Sequence, residues 1–463
     1  MTTARWRWLV MADPVHSIIR FDRHDPIHRL LLAVVNSRSF QRLRRIKQMG
    51  LAEFVFPGAV HTRFNHSLGA THLMARTLRA LKSDRQQRAL LTSNYLDTGI
   101  SVETLLMIGI LVHDLGHPPL SHTLEDTLAL TSQGLNHDHY WLPRLLQEDE
   151  ELQTIFTEFG VAGLPYALLA FMGYADQPKH FLASLVAGQL DMDRLDYLLR
   201  DSHFMGTQYG NIELDRLISS MLIDERPNGQ PAVSVTADAM PALEHYLFGR
   251  HQAYKMALHP LDKASEALLK MVLTRFAWCV QHGVDTGHPA KHLYQLMING
   301  QALSVEGYLR MDDYYLWNAI HAWSLEADDP LLRHLADRMM RHDLPKFVDL
   351  TEWPVALLPD TLAEAKVMLQ AHYASRDLDF DFGFVETLVA PKPLYRRDKE
   401  PIWVTTPESG VVDMAEVSTL LAMLRHGEGP TTGQQHLWLV WDREAQRLLK
   451  TWLATLSGHK AMG

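Results

Sequence analysis

The chain has 463 residues, 47% of them hydrophobic and 21% charged, with a formal net charge of −10. That length suggests two or three domains, or one large core with an appended lobe, and the acidic balance argues against nucleic acid or an anionic membrane as partner while allowing a local basic pocket. The single cysteine, Cys279, excludes an intrachain disulfide and a thiolate zinc site and suits a reducing cytoplasm. No apolar run approaches the ~20 residues needed to cross a bilayer, and the first fourteen residues lack the apolar centre of a signal peptide.

Trp8 to Phe21 reads as extended segments around Asp13-Pro14, with alternation in Ser17 to Phe21. From Pro26 the pattern turns helical, with Ile27, Leu30, Leu31, Val34 and Val35 at helix spacing. Ser39 to Met49 reads as a second helix, made basic by Arg42, Arg44, Arg45 and Lys47. A solvated face is the simplest account of those charges. After Gly50 and a Pro57-Gly58 turn, the HTRFNH stretch from His61 opens a helix running to about Leu81, with His66 on its buried side. Taken alone, His66 is a core histidine rather than a ligand. Ser83 to Gly99 is polar and reads as a connection.

Leu105 to His122, LLMIGILVHDLGHPPLSH, is the stretch around which the rest is organised. An apolar helix there delivers His113 and Asp114 together at its C-terminal end. A buried carboxylate is costly unless hydrogen-bonded or bound to a cation. Gly116 fits the position just past a helix end, and Pro118-Pro119 prevents continuation. His113-Asp114 is therefore read as the centre of a metal-dependent hydrolase site. A short helix is expected from Ser121 to Leu130, then His137, Asp138 and His139 at a loop-to-helix junction. Leu142 to Phe159 reads as one helix, and a loop at Gly160 to Gly163 precedes Tyr166 to Met172.

Phe181 to Asp201 is expected as a helix ending LDMDRLDYLLRDS, with Asp193, Arg194, Tyr197 and Asp201 as neighbours three and four apart. Asp191, Asp193 and Asp196 crowd three carboxylates together, which is destabilising unless a cation or an arginine sits among them. Ala232 to Val235 reads as a strand; Met240 to Ala257 and Pro260 to Gly283 are helical, the first carrying Arg250 and Tyr254. Helices continue to about Arg341, interrupted by the acidic run Met311 to Tyr315. Beyond 345 strands are expected at Asp379–Val389, Pro401–Thr405 and His436–Val440, and helices at Met414–Arg425 and Arg443–Ser457. The expected architecture is mainly α: a helical core over 1–345, its motifs within 13–260, and a smaller α+β lobe over 346–463.

A mixed nitrogen and oxygen site without thiolates favours Mn, Fe, Ni, Co or Mg over a closed structural zinc site. Such an ion polarises phosphorus and acidifies water. Arg63, Arg194 and Arg250 are candidates to neutralise phosphoryl charge, and His117, His122 and His137 can give a proton to a leaving oxygen near neutral pH. HD alone is a weak signal. HD at the end of an apolar helix, followed by GHxPxSH and preceded by the RFxH box, is strong.

With DPVHSIIRF, FQRLRRIKQMG, FPGAVHTRFNHSLG, HDLGHPPLSH and LDMDRLDYLLRDS in view, the first half of the chain resembles the HD-domain phosphohydrolases. Within them it is similar to the deoxynucleoside triphosphate triphosphohydrolases related to the sterile-alpha-motif/HD-domain enzyme, without the sterile alpha motif. The resemblance implies a metal held by His66, His113, Asp114 and Asp193. It places Gln48 and Asp201 at the sugar hydroxyl, and Arg63, Arg194 and Tyr197 at the phosphates. His117, His122 and His137 fall near the scissile bond. Arg250 matches a phosphate-binding arginine on one alignment of its helix, and Tyr254 lies one turn on. The implied reaction cleaves between the 5′ oxygen and the α-phosphorus, releasing a deoxynucleoside and triphosphate. The alternatives are another nucleotide phosphoester hydrolysis, of a monophosphate or cyclic nucleotide, or a nucleotide-binding regulator without turnover. A homo-oligomer, dimer or tetramer, is also implied.

Three positions depart from the family pattern. Leu258 stands where relatives commonly place a tyrosine against the sugar. Asp138 follows His137 where glutamate is usual. Asn36 takes the place of an aspartate that reads an activating nucleotide, although Gln41 and Arg44 match nearby, so activation by a nucleotide stays open.

Overall fold

The computed structural model describes residues 7–175, 177–257, 259–350, 358–374, 384–389, 394–396, 401–426, 435–440 and 442–460. Leu258 and the 379–383 part of one expected strand lie outside them. Among the described residues the fold is mainly helical with three small sheets. Its residues group into two compact units that do not part at 345: one is Met1–Ala253, Ile298–Tyr315 and Pro393–Gly427, the other Tyr254–Met297, Leu316–Lys392 and Glu428–Gly463.

In the first unit, β1 (Trp8–Asp13) and β2 (Ser17–Asp22) form an antiparallel hairpin. The core helix Val102–Val112 is capped by Ser101, whose hydroxyl accepts the Thr104 N–H at 3.2 Å, and all but Glu103 of its residues are buried. Surrounded by apolar side chains, this helix needs no polar face. The helix Arg63–Leu81 packs against it and against the helix Met192–Met205, so three ends converge where the site is built. A four-stranded sheet in the order β3 (Met221–Glu225), β4 (Pro231–Thr236), β7 (Trp403–Thr406), β8 (Gly410–Asp413) belongs to this unit as well. Its β4–β7 pair is parallel, Ser234 opposite Trp403; a segment expected in a separate lobe therefore completes the sheet of the first unit. The second unit holds β5 (Lys346–Asp349), β9 (Gln435–Val440) and β6 (Phe384–Val389) in the spatial order β5-β9-β6. Its core includes Leu369, Tyr373, Trp438 and Leu449.

Several expected elements differ in extent. The basic helix is α-helical only over Arg38–Arg42, followed by a single 3-10 turn, Leu43–Arg45. Ile46 is extended because Gln48 N–H bonds the His61 carbonyl at 3.0 Å and Arg63 N–H bonds the Ile46 carbonyl at 3.0 Å; long-range backbone pairing outweighs helix propensity. The connection 83–99 contains a helix, Arg85–Thr92, started by Asp84 accepting from Gln86 and Gln87. Leu142–Phe159 breaks at Asp149, which caps a new helix at Glu150. The helix expected from Phe181 starts at Met192, with Asp191 as its cap. His113, not Gly116, closes the core helix. Gly116 is needed for space: a Cβ there would lie 2.1 Å from the His137 carbonyl oxygen.

Candidate active site

His66 from its helix, His113 and Asp114 from the end of the core helix, and Asp193 from the first turn of the third converge on one point. His66 Nε2 lies 3.2 Å from His113 Nε2, 3.0 Å from Asp193 Oδ1 and 3.7 Å from Asp114 Oδ2. His113 Nε2 is 3.4 Å from Asp114 Oδ1 and 3.6 Å from Asp193 Oδ1. An ion with bonds of about 2.1 Å in octahedral geometry separates adjacent ligand atoms by about 3.0 Å. The observed spacings are this or slightly wider.

The other ring nitrogens fix how the pair is oriented. His66 Nδ1 is 2.8 Å from Asp196 Oδ2, and His113 Nδ1 is 2.7 Å from the Ile110 carbonyl. Both partners are acceptors, so each Nδ1 carries a proton, and each ring in its neutral form turns a bare Nε2 inward. Two lone pairs and two carboxylates then share one space that only a cation or protons can fill. Asp114 Oδ2 is 2.6 Å from Arg63 Nη1 as an ion pair but outside hydrogen-bond alignment, leaving this buried oxygen with spare acceptor capacity. Burial opposes a charge on His66, but hydrogen bonds to Asp193 and Asp196 outweigh it and push the imidazole up to about 10, so a proton on Nε2 and a cation compete for the same space. These His and Asp groups could hold a divalent metal ion.

Asp196 was legible only as part of a crowded acidic run. The structure resolves the crowding by giving each carboxylate a separate task. Asp191 caps its helix by accepting the Arg194 N–H at 2.7 Å, Asp193 turns inward, and Asp196 is fully buried under three cationic or polarisable partners. These are Arg200 Nε at 2.8 Å, His16 Nε2 at 2.6 Å and His66. Arg200 reaches on to Asp13 at 2.9 Å, tying the hairpin turn to this network. The DPVH stretch is thus a supporting element.

Beside the four convergent groups, His117, His122 and His137 form a cluster. The His117 and His137 rings stack with centroids 3.7 Å apart, and His122 meets them edge-on at 4.8 and 5.1 Å. Glu125, missed in the sequence reading, organises them. Its carboxylate lies 3.0 Å from both His122 Nδ1 and His137 Nδ1 and accepts the His137 N–H at 2.9 Å. Burial resists its charge, but the hydrogen bonds from His122 and His137 win and hold the carboxyl well below the usual range. His117 Nε2 sits 3.2 Å from Asp114 Oδ1, and burial, with Arg63 and His137 nearby, keeps this ring neutral. The i, i+3 spacing of His122 and Glu125 on a short helix was the available signal.

The remaining expected residues are grouped less tightly. Arg194 donates from Nε to the Gly188 carbonyl at 2.7 Å and from Nη1 toward Tyr197 Oη at 3.4 Å. Arg250 Nη1 donates to the Gln189 carbonyl at 3.2 Å, which also accepts the Tyr246 hydroxyl at 2.6 Å. Tyr197 is half-buried near Arg194, Asp193 and Arg250, and desolvation raises its phenol above the ordinary value. Asp201 pairs with buried His61 at 2.8 Å, another partner not foreseen. Gln48 leaves its side-chain oxygen buried without a hydrogen bond. Tyr254 falls to the second compact unit.

No family model matches the chain. An uncharacterized protein of Bacillus subtilis is 27% identical over 413 residues, 86% of this chain and 87% of that protein. The deoxynucleoside triphosphate triphosphohydrolase SAMHD1 of Gallus gallus is 36% identical over 246 residues, 47% of this chain and 37% of that enzyme. Its Bos taurus counterpart is 26% identical over 415 residues, 80% of this chain and 66% of that enzyme. The chain thus spans between about a third and two thirds of these curated enzymes' length. Among solved structures, a phosphohydrolase of Bacteroides thetaiotaomicron superposes with a TM-score of 0.73 at 27% identity, covering 94% of this chain and all of that one. A hypothetical protein of Aquifex aeolicus, TM-score 0.67 at 23% identity over 96% of this chain and all of that one, shares the fold. Together these relatives support a nucleotide phosphohydrolase of the HD-domain type. Among the described residues, no helix is long and apolar enough to cross a membrane.

Proposed function

Proceeding from an HD-domain phosphohydrolase, we propose that the chain hydrolyses deoxynucleoside triphosphates to deoxynucleoside and inorganic triphosphate. The observation that carries this reading is the convergence of His66, His113, Asp114 and Asp193 at 3.0–3.7 Å beside a cluster of three histidines. These four side chains are the proposed ligands of a divalent ion. When bound, the ion supplies Lewis acidity at phosphorus and acidifies water.

The protein's own groups take the other roles. Arg63, fixed against Asp114, holds the α-phosphate oxygens close to the ligand carboxylates, and Arg194 with Tyr197 binds the outer phosphates. Arg250 exchanges its contact with the Gln189 carbonyl for a phosphate oxygen. Gln48 and Asp201, the latter oriented by His61, receive the sugar hydroxyl. Glu125 accepts the Nδ1 protons of His122 and His137, so their Nε2 atoms face outward. One of these rings, carrying a second proton as the imidazolium that the Glu125 carboxylate stabilises, gives its Nε2 proton to the departing 5′ oxygen and is left neutral. His117, held neutral, stacks on His137 and keeps its ring in place.

Incubation with each deoxynucleoside triphosphate in Mn2+ or Mg2+, followed by chromatography, tests the reading. Nucleoside and intact triphosphate in equal amounts are expected. Release of pyrophosphate, or activity only on monophosphates or cyclic nucleotides, overturns the substrate assignment.

A further inference from the structure

The acidic run Met311 to Tyr315 lies outside all the stretches that carry the family resemblance. In the structure it follows the short helix Val305–Leu309, and two side chains from this region seize the loop between Asp114 and His122. The fully buried Tyr308 donates its hydroxyl to the Gly116 carbonyl at 2.6 Å. Its ring stacks on Trp141, centroids 3.7 Å apart and nearly parallel, so its position is fixed from both sides. Asp313, 2% exposed, accepts the Leu120 N–H on Oδ1 at 2.7 Å and the Lys47 N–H on Oδ2 at 2.8 Å.

The loop needs such support. Leu120 and Ser121 adopt φ of +56° and +57°, conformations that side chains rarely occupy and that persist only when the surroundings over-determine them. The Ser121 hydroxyl donates to the Lys47 carbonyl at 2.6 Å and accepts from Arg63 Nε at 2.7 Å. Residue 47 is therefore gripped at its N–H by Asp313 and at its carbonyl by Ser121. The gripping segment is itself anchored: Arg42 Nε donates to the Met311 carbonyl at 2.7 Å, and Arg45 pairs with Asp312 at 2.5 Å. Arg42 is thus buried against a backbone carbonyl and Arg45 is ion-paired, where the sequence pattern suggests a solvated face.

We propose that Tyr308 and Asp313 are positioning residues, a brace from outside the HD motifs that locks the Gly116–Ser121 loop to the Lys47–Gln48 segment and so aims the histidine cluster and Arg63 at one site. The positioning role rests on the proton-donor reading of the histidines given above; the clamp itself does not. Burial pushes the Asp313 carboxyl up to about 6 against the pull of its two backbone donors, so it is ionised at neutral pH. An amide in its place would turn an NH2 group toward one of two N–H donors, which makes Asp313→Asn a nearly isosteric way to break the brace.

Hydrogen exchange by mass spectrometry on the full chain, without substrate, reads the clamp directly. In Asp313→Asn, peptides covering residues 45–50 and 115–123 should exchange about tenfold faster, with the rest of the first unit unchanged. His117, 1% exposed, should become more reactive toward diethyl pyrocarbonate. Tyr308→Phe should give a smaller change limited to 115–123, and it carries the test if Asp313→Asn does not fold. With the best nucleotide substrate, kcat should fall about tenfold or more while KM stays within about threefold. Unchanged exchange and labelling in a folded variant overturns the brace. Faster exchange with unchanged kcat overturns the positioning role. If wild-type protein hydrolyses no deoxynucleoside triphosphate, the substrate reading fails and the exchange result still stands or falls alone.

Discussion

The two halves of the site are built differently. The four convergent metal-type ligands are oriented by the three helices that carry them: the Ile110 carbonyl, one turn before His113, fixes that ring, and Asp196, one turn beyond Asp193, fixes His66 on the neighbouring helix. The histidine cluster depends on groups far away in the chain. Glu125 sits a helical turn from His122 but twelve residues from His137, and the loop carrying His117 is held by Tyr308 and Asp313, nearly two hundred residues on. A site oriented within the helices that carry its ligands should tolerate change elsewhere in the fold. One whose orientation is imported should fail at a distance.

The largest expected effect tests the half carried by the three helices. His113→Ala or Asp114→Ala should abolish turnover and reduce bound Mn2+ while leaving far-ultraviolet circular dichroism nearly unchanged. Full activity in either variant would reject the ligand assignment. Next, Asp196→Asn leaves all four inward-facing atoms in place but weakens the acceptor that sets the His66 tautomer. Mn2+ affinity, measured by titration calorimetry, should drop about 10–100-fold, and a drop under twofold would show that His66 needs no such partner.

Glu125→Gln separates the two halves. Turnover should fall about 10–100-fold because the cluster loses its common anion, whereas Mn2+ affinity should stay within about threefold. The same variant carries a pH signature. Glu125 is held below its ordinary value of 4.5, so its contribution to stability is complete above that pH and is lost as pH falls below it. Wild type should therefore melt above the variant at pH 7, with the gap narrowing under acid conditions; a constant gap would remove the charge from the explanation. The smallest effect is expected from His61→Asn, which disturbs the pairing with Asp201. It also removes the stacking of His61 on Phe204, and it should raise KM for the nucleotide a few-fold with little change in kcat, read from initial rates.

The boundaries that the sequence misplaced share a cause. Ile46 to Gln48 leave the helix because their backbone pairs with residues 61–63, and the helix expected from Phe181 waits until Asp191 can cap it. In each case a partner distant in the chain, or a side chain with two uses, overrode a periodic pattern. The last hundred residues read as one appended lobe because strand patterns do not reveal their partners. β7 and β8 in fact join β3 and β4.

By itself, the sequence determined the apolar core helix, the placement of His113 and Asp114 at its end, and the residue types able to share a cation. Those follow from periodicity and from the cost of burying an unpaired carboxylate, both of which act over a few residues. Only the tertiary structure decided which nitrogen of each imidazole faces inward, that Glu125 joins two histidines, and that Tyr308 and Asp313 hold a strained loop. Those depend on hydrogen-bond partners brought together by packing, and no local spacing encodes which donor will meet which acceptor.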